Sequence, residues 1–136
     1  MTVVLDCNIL AMCLTSGSPY HIIYQALVKG KFQLVVSNDI LLEYEEIIQR
    51  KYSIATARAF GSLLDELPNV HYLHTYYQWQ LITKDSDDNK YCDCAIAGQA
   101  DYVVTEDRHF DVLKNVPFPS LTAVGINHFL EILQSV

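Results

Sequence analysis

Asp87-Asp88-Asn89-Lys90-Tyr91-Cys92-Asp93-Cys94-Ala95, running on through Ala97-Gly98 to Ala100-Asp101-Tyr102-Val103-Val104-Thr105-Glu106-Asp107, is the stretch whose reading decides the fold. It begins in the polar loop Asp85-Ser86-Asp87-Asp88-Asn89, which is suited to start a helix with Asp88 as the expected N-cap. The helix is expected from about Asn89 to Gln99, where the small side chains of Cys92, Cys94, Ala95, Ala97 and Gly98 allow close packing. Tyr102 to Thr105 reads as a buried strand, left through the loop Glu106-Asp107-Arg108-His109. Helix, buried strand and acidic exit loop make half of a parallel α/β unit.

The same alternation appears on either side. Thr2 to Leu5 is an apolar, β-branched run that stops at Asp6, with Asn8 two residues on. Ser18-Pro19 suits a helix start, with serine as N-cap and proline in the first turn; Ile22, Ile23, Ala26 and Leu27 share a face before Gly30 ends the helix. Phe32 to Val36 is a second strand, and Ser37-Asn38-Asp39 supplies capping oxygens for a helix from about Asp39 to Tyr52. Ile40, Leu41, Tyr44, Ile47 and Ile48 form its apolar stripe. Ser53 to Leu67 repeats the pattern with Ala57, Phe60, Leu63, Leu64 and Leu67, closing at Pro68-Asn69. Val70 to Leu73 is a third strand, Thr75 to Thr83 is too aromatic and irregular to assign, Leu121 to Val124 is a last strand and Ile126 to Leu133 a final helix. Repeated strand-to-helix alternation implies a mostly parallel sheet with helices on both faces.

Size and composition set the bounds. At 136 residues, with 51% hydrophobic residues and only 5 glycines and 4 prolines, the chain is expected to form a single ordered domain over residues 1–136. Its apolar runs, Ile9 to Leu14 among them, fall short of the roughly 20 residues of a membrane span. Met1 to Asp6 has no basic segment or cleavage site, so the N-terminus reads as the first strand and the expected location is the cytoplasm. Cys7, Cys13, Cys92 and Cys94 are then reduced buried thiols; the alternative, a zinc site using Cys92 and Cys94, has a one-residue gap where zinc knuckles use two to four. A net charge of −7 argues against binding nucleic acid by bulk electrostatics, unless the acids gather in one cleft where divalent cations offset them.

Ligands of an open parallel sheet bind beyond the carboxyl ends of its strands. Asp6 follows the first strand, the helix carrying Glu43 springs from the second, Asp107 lies just past the Val103-Val104 strand, and Asp88 starts the helix leading into it. Clustered carboxylates suit hard cations such as Mg²⁺ or Mn²⁺, and two such ions support in-line cleavage of a phosphodiester. The sequence has no phosphate-cradling glycine loop, Gly-x-Ser-x-Gly elbow or His-Glu-x-x-His run. Periodicity leaves Glu43 and Glu45 as equal candidates on the two edges of the apolar stripe. Asp39, Glu43 and Glu46 stack at helical spacing, a like-charge arrangement that a nearby cation relieves. Asp93 falls opposite Tyr91 and Ala95, where exposure is the simpler expectation. Arg108 reads as a surface arginine or a phosphate contact.

Taken together, these residues resemble the PIN-domain family, in particular its bacterial VapC-like toxin branch. Val4-Leu5-Asp6-Cys7-Asn8 is similar to the family's strand followed by Asp-x-Asn, Ser37-x-x-x-Leu41-Leu42-Glu43-Tyr44 to the segment carrying its helical glutamate, and Asp87 to Asp107 to its last two acidic segments in order and spacing. The resemblance implies a three-layer α/β/α sandwich, Mg²⁺ or Mn²⁺ dependence and cleavage of single-stranded RNA. It implies Asp6, Glu43, Asp88 and Asp107 as metal-site acids, choosing Glu43 over Glu45, with Asn8 and Thr105 in support. It leaves open whether Asp87 or Asp88 is the third acid and whether Asp93 touches the site. An antitoxin protein and a homodimer are expected partners by analogy. The rival readings are a non-catalytic binding module on the same fold and a receiver or phosphatase-type domain; Asn8 stands where an Asp-x-Asp phosphatase needs an acid, and Asp6-Cys7 lacks a receiver's adjacent acid pair.

Overall fold

The structure, a computed structural model, describes residues 1–83 and 86–135. Five strands, β1 (Thr2–Leu5), β2 (Gln33–Val36), β3 (Val70–Tyr72), β4 (Tyr102–Val104) and β5 (Ala123–Val124), form one sheet in the order β3-β2-β1-β4-β5. Every neighbouring pair is parallel. The helices are α1 (Cys7–Cys13), α2 (His21–Val28), α3 (Asn38–Lys51), α4 (Ile54–Glu66), α5 (Asn89–Ala97) and α6 (Ile126–Gln134). A central parallel sheet flanked by helices is the expected α/β/α sandwich. β1 lies at its centre, with Val3, Val4 and Leu5 almost wholly buried.

Strand order places the site. The chain steps from β1 to β2 to β3 on one side, then α5 carries it back across to β4 on the other side of β1. Right-handed crossovers put the helices of these opposite steps on opposite faces of the sheet. The order reverses between β1 and β4, which opens a crevice at their carboxyl ends.

Local chemistry sets the element ends. Ser37 caps α3 and Ser53 caps α4, their hydroxyls accepting from the amides of Ile40 and Thr56. Gly30, at φ +74°, closes α2: Lys31 N–H reaches Ala26 O and Gly30 N–H reaches Leu27 O. At the end of α5 the left-handed residue is Gln99, while Gly98 makes room, since a Cβ there would lie 2.8 Å from Leu73 Cδ1 and 3.0 Å from Val35 Cγ1.

The structure corrects several expectations. The run after Asp6 is a helix, α1, buried at Cys7, Ile9, Leu10, Ala11 and Cys13 and so lacking the polar face that marks a surface helix. Ser18 does not cap α2; its hydroxyl accepts Tyr20 N–H in a preceding turn, and Ile22 is exposed. Asp88 precedes α5 without making a side-chain cap, because a 3-10 turn over Ser86–Asp88 feeds directly into the helix. Arg108–Asn115, not anticipated as regular structure, is 3-10 helix with Phe110 and Leu113 buried. Asp85, part of the expected capping loop, lies outside the described residues.

Candidate metal centre

Asp6 sits where β1 ends and α1 begins. Its Oδ1 accepts Asn8 N–H at 3.3 Å and its Oδ2 accepts the Thr105 hydroxyl at 2.8 Å. Thr105 Oγ1 in turn accepts Asp107 N–H at 3.0 Å, so the exits of β1 and β4 are joined side by side. Asp6 is only 4% exposed. Burial pushes its carboxyl above the ordinary value; bonds from Thr105, Asn8 and Cys7 partly offset this, and the Glu43 charge adds to the rise.

Glu43 approaches from α3. Lys90 Nζ lies 2.6 Å from its Oε2, and the Tyr91 hydroxyl donates to its Oε1 while accepting Cys7 N–H at 3.2 Å. Burial raises this carboxyl, but the Lys90 ammonium and the Tyr91 and Cys7 bonds outweigh it and hold Glu43 below its ordinary value, ionised. One ligand atom each from Asp6, Cys7 and Glu43 falls within 4.8 Å of the others. The Cys7 thiol, pushed up to about 12 chiefly by burial, stays protonated.

Beside this group lies another, made by Asp88, Asp107 and His109, whose ligand atoms are also within 4.8 Å of one another. Asp107 caps the 3-10 helix, its Oδ1 accepting His109 N–H at 2.9 Å. Among the described residues the four expected acids therefore occupy two neighbouring groups, linked through Thr105. Asp87 is a member of neither group and lies near Lys90, on the wall of a cleft of about 890 Å³ that Asp39, Glu43 and Glu46 line from α3 and Lys90 from α5.

The opposite wall comes from the irregular segment 74–83, which is fastened to α5. Asn89 makes two bonds with the Ile82 backbone, Nδ2 to O at 2.9 Å and Oδ1 from N at 2.8 Å. Asp93 Oδ1 accepts Trp79 N–H at 3.0 Å. Asp93 is thus buried, at 8% exposure, against the expectation of a solvated residue, because this segment folds over it. Burial raises its carboxyl, and the Trp79 bond only partly restores it.

The donor set fits a divalent cation. Two carboxylates of the centre, Asp6 and Asp88, are at most 9% exposed, and carboxylates gathered in a desolvated crevice are hard oxygen donors whose mutual repulsion a cation removes. A model of the PIN domain matches residues 2–109. The chain belongs to the PIN domain family. Among solved structures, a chain of VapBC2 from Rickettsia felis, crystallised bound to a DNA fragment from its promoter, superposes with TM-score 0.62 at 18% identity, covering 92% of this chain and 98% of that one. The PIN domain of T. brucei RRP44 superposes with TM-score 0.55 at 14% identity, covering 98% and 81%. No curated protein matches the sequence significantly.

Within this PIN domain, residues outside the acidic pattern turn out to build the site. His109 and Cys7 each complete one of the two groups. Lys90 and Tyr91 both grip Glu43 from successive positions of α5. The signal for this pair was their place one and two residues into a helix that starts at the acidic loop. Asn8 takes part through its backbone amide, while Arg108 is exposed and lines a smaller pocket with His109 and Asp111. Cys92 and Cys94 are fully buried thiols. No described helix is long and apolar enough to cross a membrane.

Proposed function

We propose that this PIN domain, with residues 1–136 acting as one nuclease domain, is an Mg²⁺- or Mn²⁺-dependent endoribonuclease that hydrolyses phosphodiester bonds of single-stranded RNA. In this reading it is the toxin of a cytoplasmic toxin–antitoxin pair, a homodimer neutralised by an antitoxin protein. The observation that carries the reading is the joining of Asp6 and Asp107 through Thr105 at the carboxyl ends of β1 and β4, with Glu43 and Asp88 on either flank. Bound divalent ions would supply charge to the phosphate and acidify the attacking water. The chain's own residues hold that arrangement ready. Thr105 and the Asn8 amide orient Asp6, Lys90 and Tyr91 keep Glu43 ionised and aimed, Asp107 is fixed at the start of the 3-10 helix by the His109 amide, and Asp88 stands just before α5. Family membership supports nuclease chemistry, and the likeness to the VapBC2 chain supports the toxin assignment.

The test is cleavage of a fluorescent single-stranded RNA by the purified protein. Cleavage is expected with Mn²⁺ or Mg²⁺, and is expected to stop on chelation and in Asp6→Asn while circular dichroism stays native. Equal cleavage by the variant, or indifference to chelation, would favour a non-catalytic module on the same fold.

A further inference from the structure

His109 enters the metal centre from the side that the acidic pattern does not describe. Its Nδ1 lies 3.3 Å from Asp107 Oδ1 and 3.4 Å from Asp88 Oδ2. A charge-assisted hydrogen bond would be about 2.7–2.9 Å long. Two donors each about 2.1 Å from one ion, by contrast, stand about 3.0 Å apart at a right angle and about 3.4 Å apart at a tetrahedral one. The nitrogen contacts both oxygens directly, and its spacing from each also fits the edge of a coordination polyhedron.

The ring is also well placed to stay there. The backbone amide of His109 is bonded to Asp107, and the next residue, Phe110, is 1% exposed, so the ring is carried on an anchored turn. The imidazole itself is 39% exposed, which leaves it accessible to an ion arriving from solvent. A neutral imidazole protonated at Nε2 presents a lone pair at Nδ1.

We infer that His109 Nδ1 is a third ligand to the cation held by Asp88 and Asp107, and that it makes this site favour a first-row transition ion such as Mn²⁺ over Mg²⁺. The inference rests on the metal-dependent reading above. Mg²⁺ takes oxygen ligands and keeps its waters, whereas imidazole nitrogen suits transition ions, so one nitrogen among two carboxylates shifts selectivity without changing charge.

Mn²⁺ alone is the probe, titrated into the whole chain and followed by continuous-wave and pulsed EPR. Wild type is expected to bind Mn²⁺ with the ¹⁴N modulation of a coordinated imidazole. In His109→Gln the modulation is expected to vanish and Mn²⁺ affinity to fall about tenfold, while Mg²⁺ affinity by calorimetry changes less than about twofold. The other histidines, His21, His71, His74 and His128, belong to neither ligand group, so ¹⁵N-histidine labelling of wild type decides the assignment even if the variant misfolds. Mn²⁺ bound without nitrogen coupling, and lost in Asp107→Asn, overturns the role of His109 and leaves the metal-dependent reading standing. Absence of any Mn²⁺ or Mg²⁺ binding removes both.

Discussion

Thr105 and Asp6 stand 99 positions apart in sequence, and 2.8 Å separates the threonine hydroxyl from Asp6 Oδ2. The same hydroxyl oxygen accepts the Asp107 amide. One buried side chain thus sets the spacing of the two strand exits on which the proposed chemistry depends. Thr105→Val keeps the shape and removes both bonds. It is expected to cost about 1–3 kcal/mol in urea denaturation, because it strands a buried carboxylate and an amide, and to lower RNA cleavage about tenfold or more. Thr105→Ser is expected to recover most of both. Wild-type stability and cleavage in the valine variant would show that the two acids hold their places without it.

Ionisation of Asp6 works against folding. Its carboxyl is raised from the ordinary 3.8 chiefly by burial, so the folded chain binds this proton more tightly than the unfolded chain does. Its contribution is therefore most favourable below 3.8 and declines as pH climbs through the raised folded value, remaining lower above it. Asp6→Asn escapes that decline. The variant is expected to be more stable than wild type at pH 7 by about 1 kcal/mol, with the difference shrinking towards pH 3. Thermal melts of the metal-free proteins at both pH values measure it, and a variant less stable at pH 7 would contradict the assignment of a desolvation penalty.

Tyr91 positions Glu43 while it satisfies the Cys7 amide at the start of α1. Tyr91→Phe retains the ring and leaves both partners short of a bond. A loss of about 1–2 kcal/mol in stability is expected, together with about tenfold weaker Mn²⁺ binding by calorimetry. If binding is unchanged, Lys90 alone is enough to orient the glutamate.

Asp93 is expected to act as a fastening for the segment 74–83. Trp79, whose amide it accepts, is the chain's single tryptophan and packs against Tyr77 and Phe118, so tryptophan fluorescence reports on how this segment is held. Asp93→Ala is expected to shift Trp79 emission to the red and to increase its quenching by acrylamide, whereas Asp93→Asn, which keeps an acceptor oxygen, should resemble wild type. An alanine variant with the wild-type spectrum would show that Asn89 and the Ile82 backbone suffice.

That Asp6 and Asp107 follow strands and that Asp88 precedes a helix was legible because strand ends and helix starts leave marks in sequence, such as a β-branched run that stops at an acid; pattern left Glu43 and Glu45 equal, and only the family resemblance chose Glu43. The parallel sheet was legible for the same reason. α1 was not, since a short helix buried on nearly every side carries no amphipathic period, although Asp6 with the Asn8 amide is an ordinary N-cap. Asp93 was misjudged because its burial depends on residues 74–83, a stretch without regular structure whose docking no local pattern encodes. The split of the acids into two groups, one completed by a thiol and one by an imidazole, is a matter of side-chain reach and appears only when β1 and β4 are side by side.

That adjacency governs when the centre comes into being. During translation Asp6 is polymerised long before Thr105 and Asp107, and at about 5–20 residues per second the interval is on the order of 5 to 20 seconds. A nascent chain that has not reached Thr105 carries Asp6 without the strand exit that completes its surroundings, and so does a product truncated before that residue. A cell making this protein meets the assembled centre only after the fourth strand has docked.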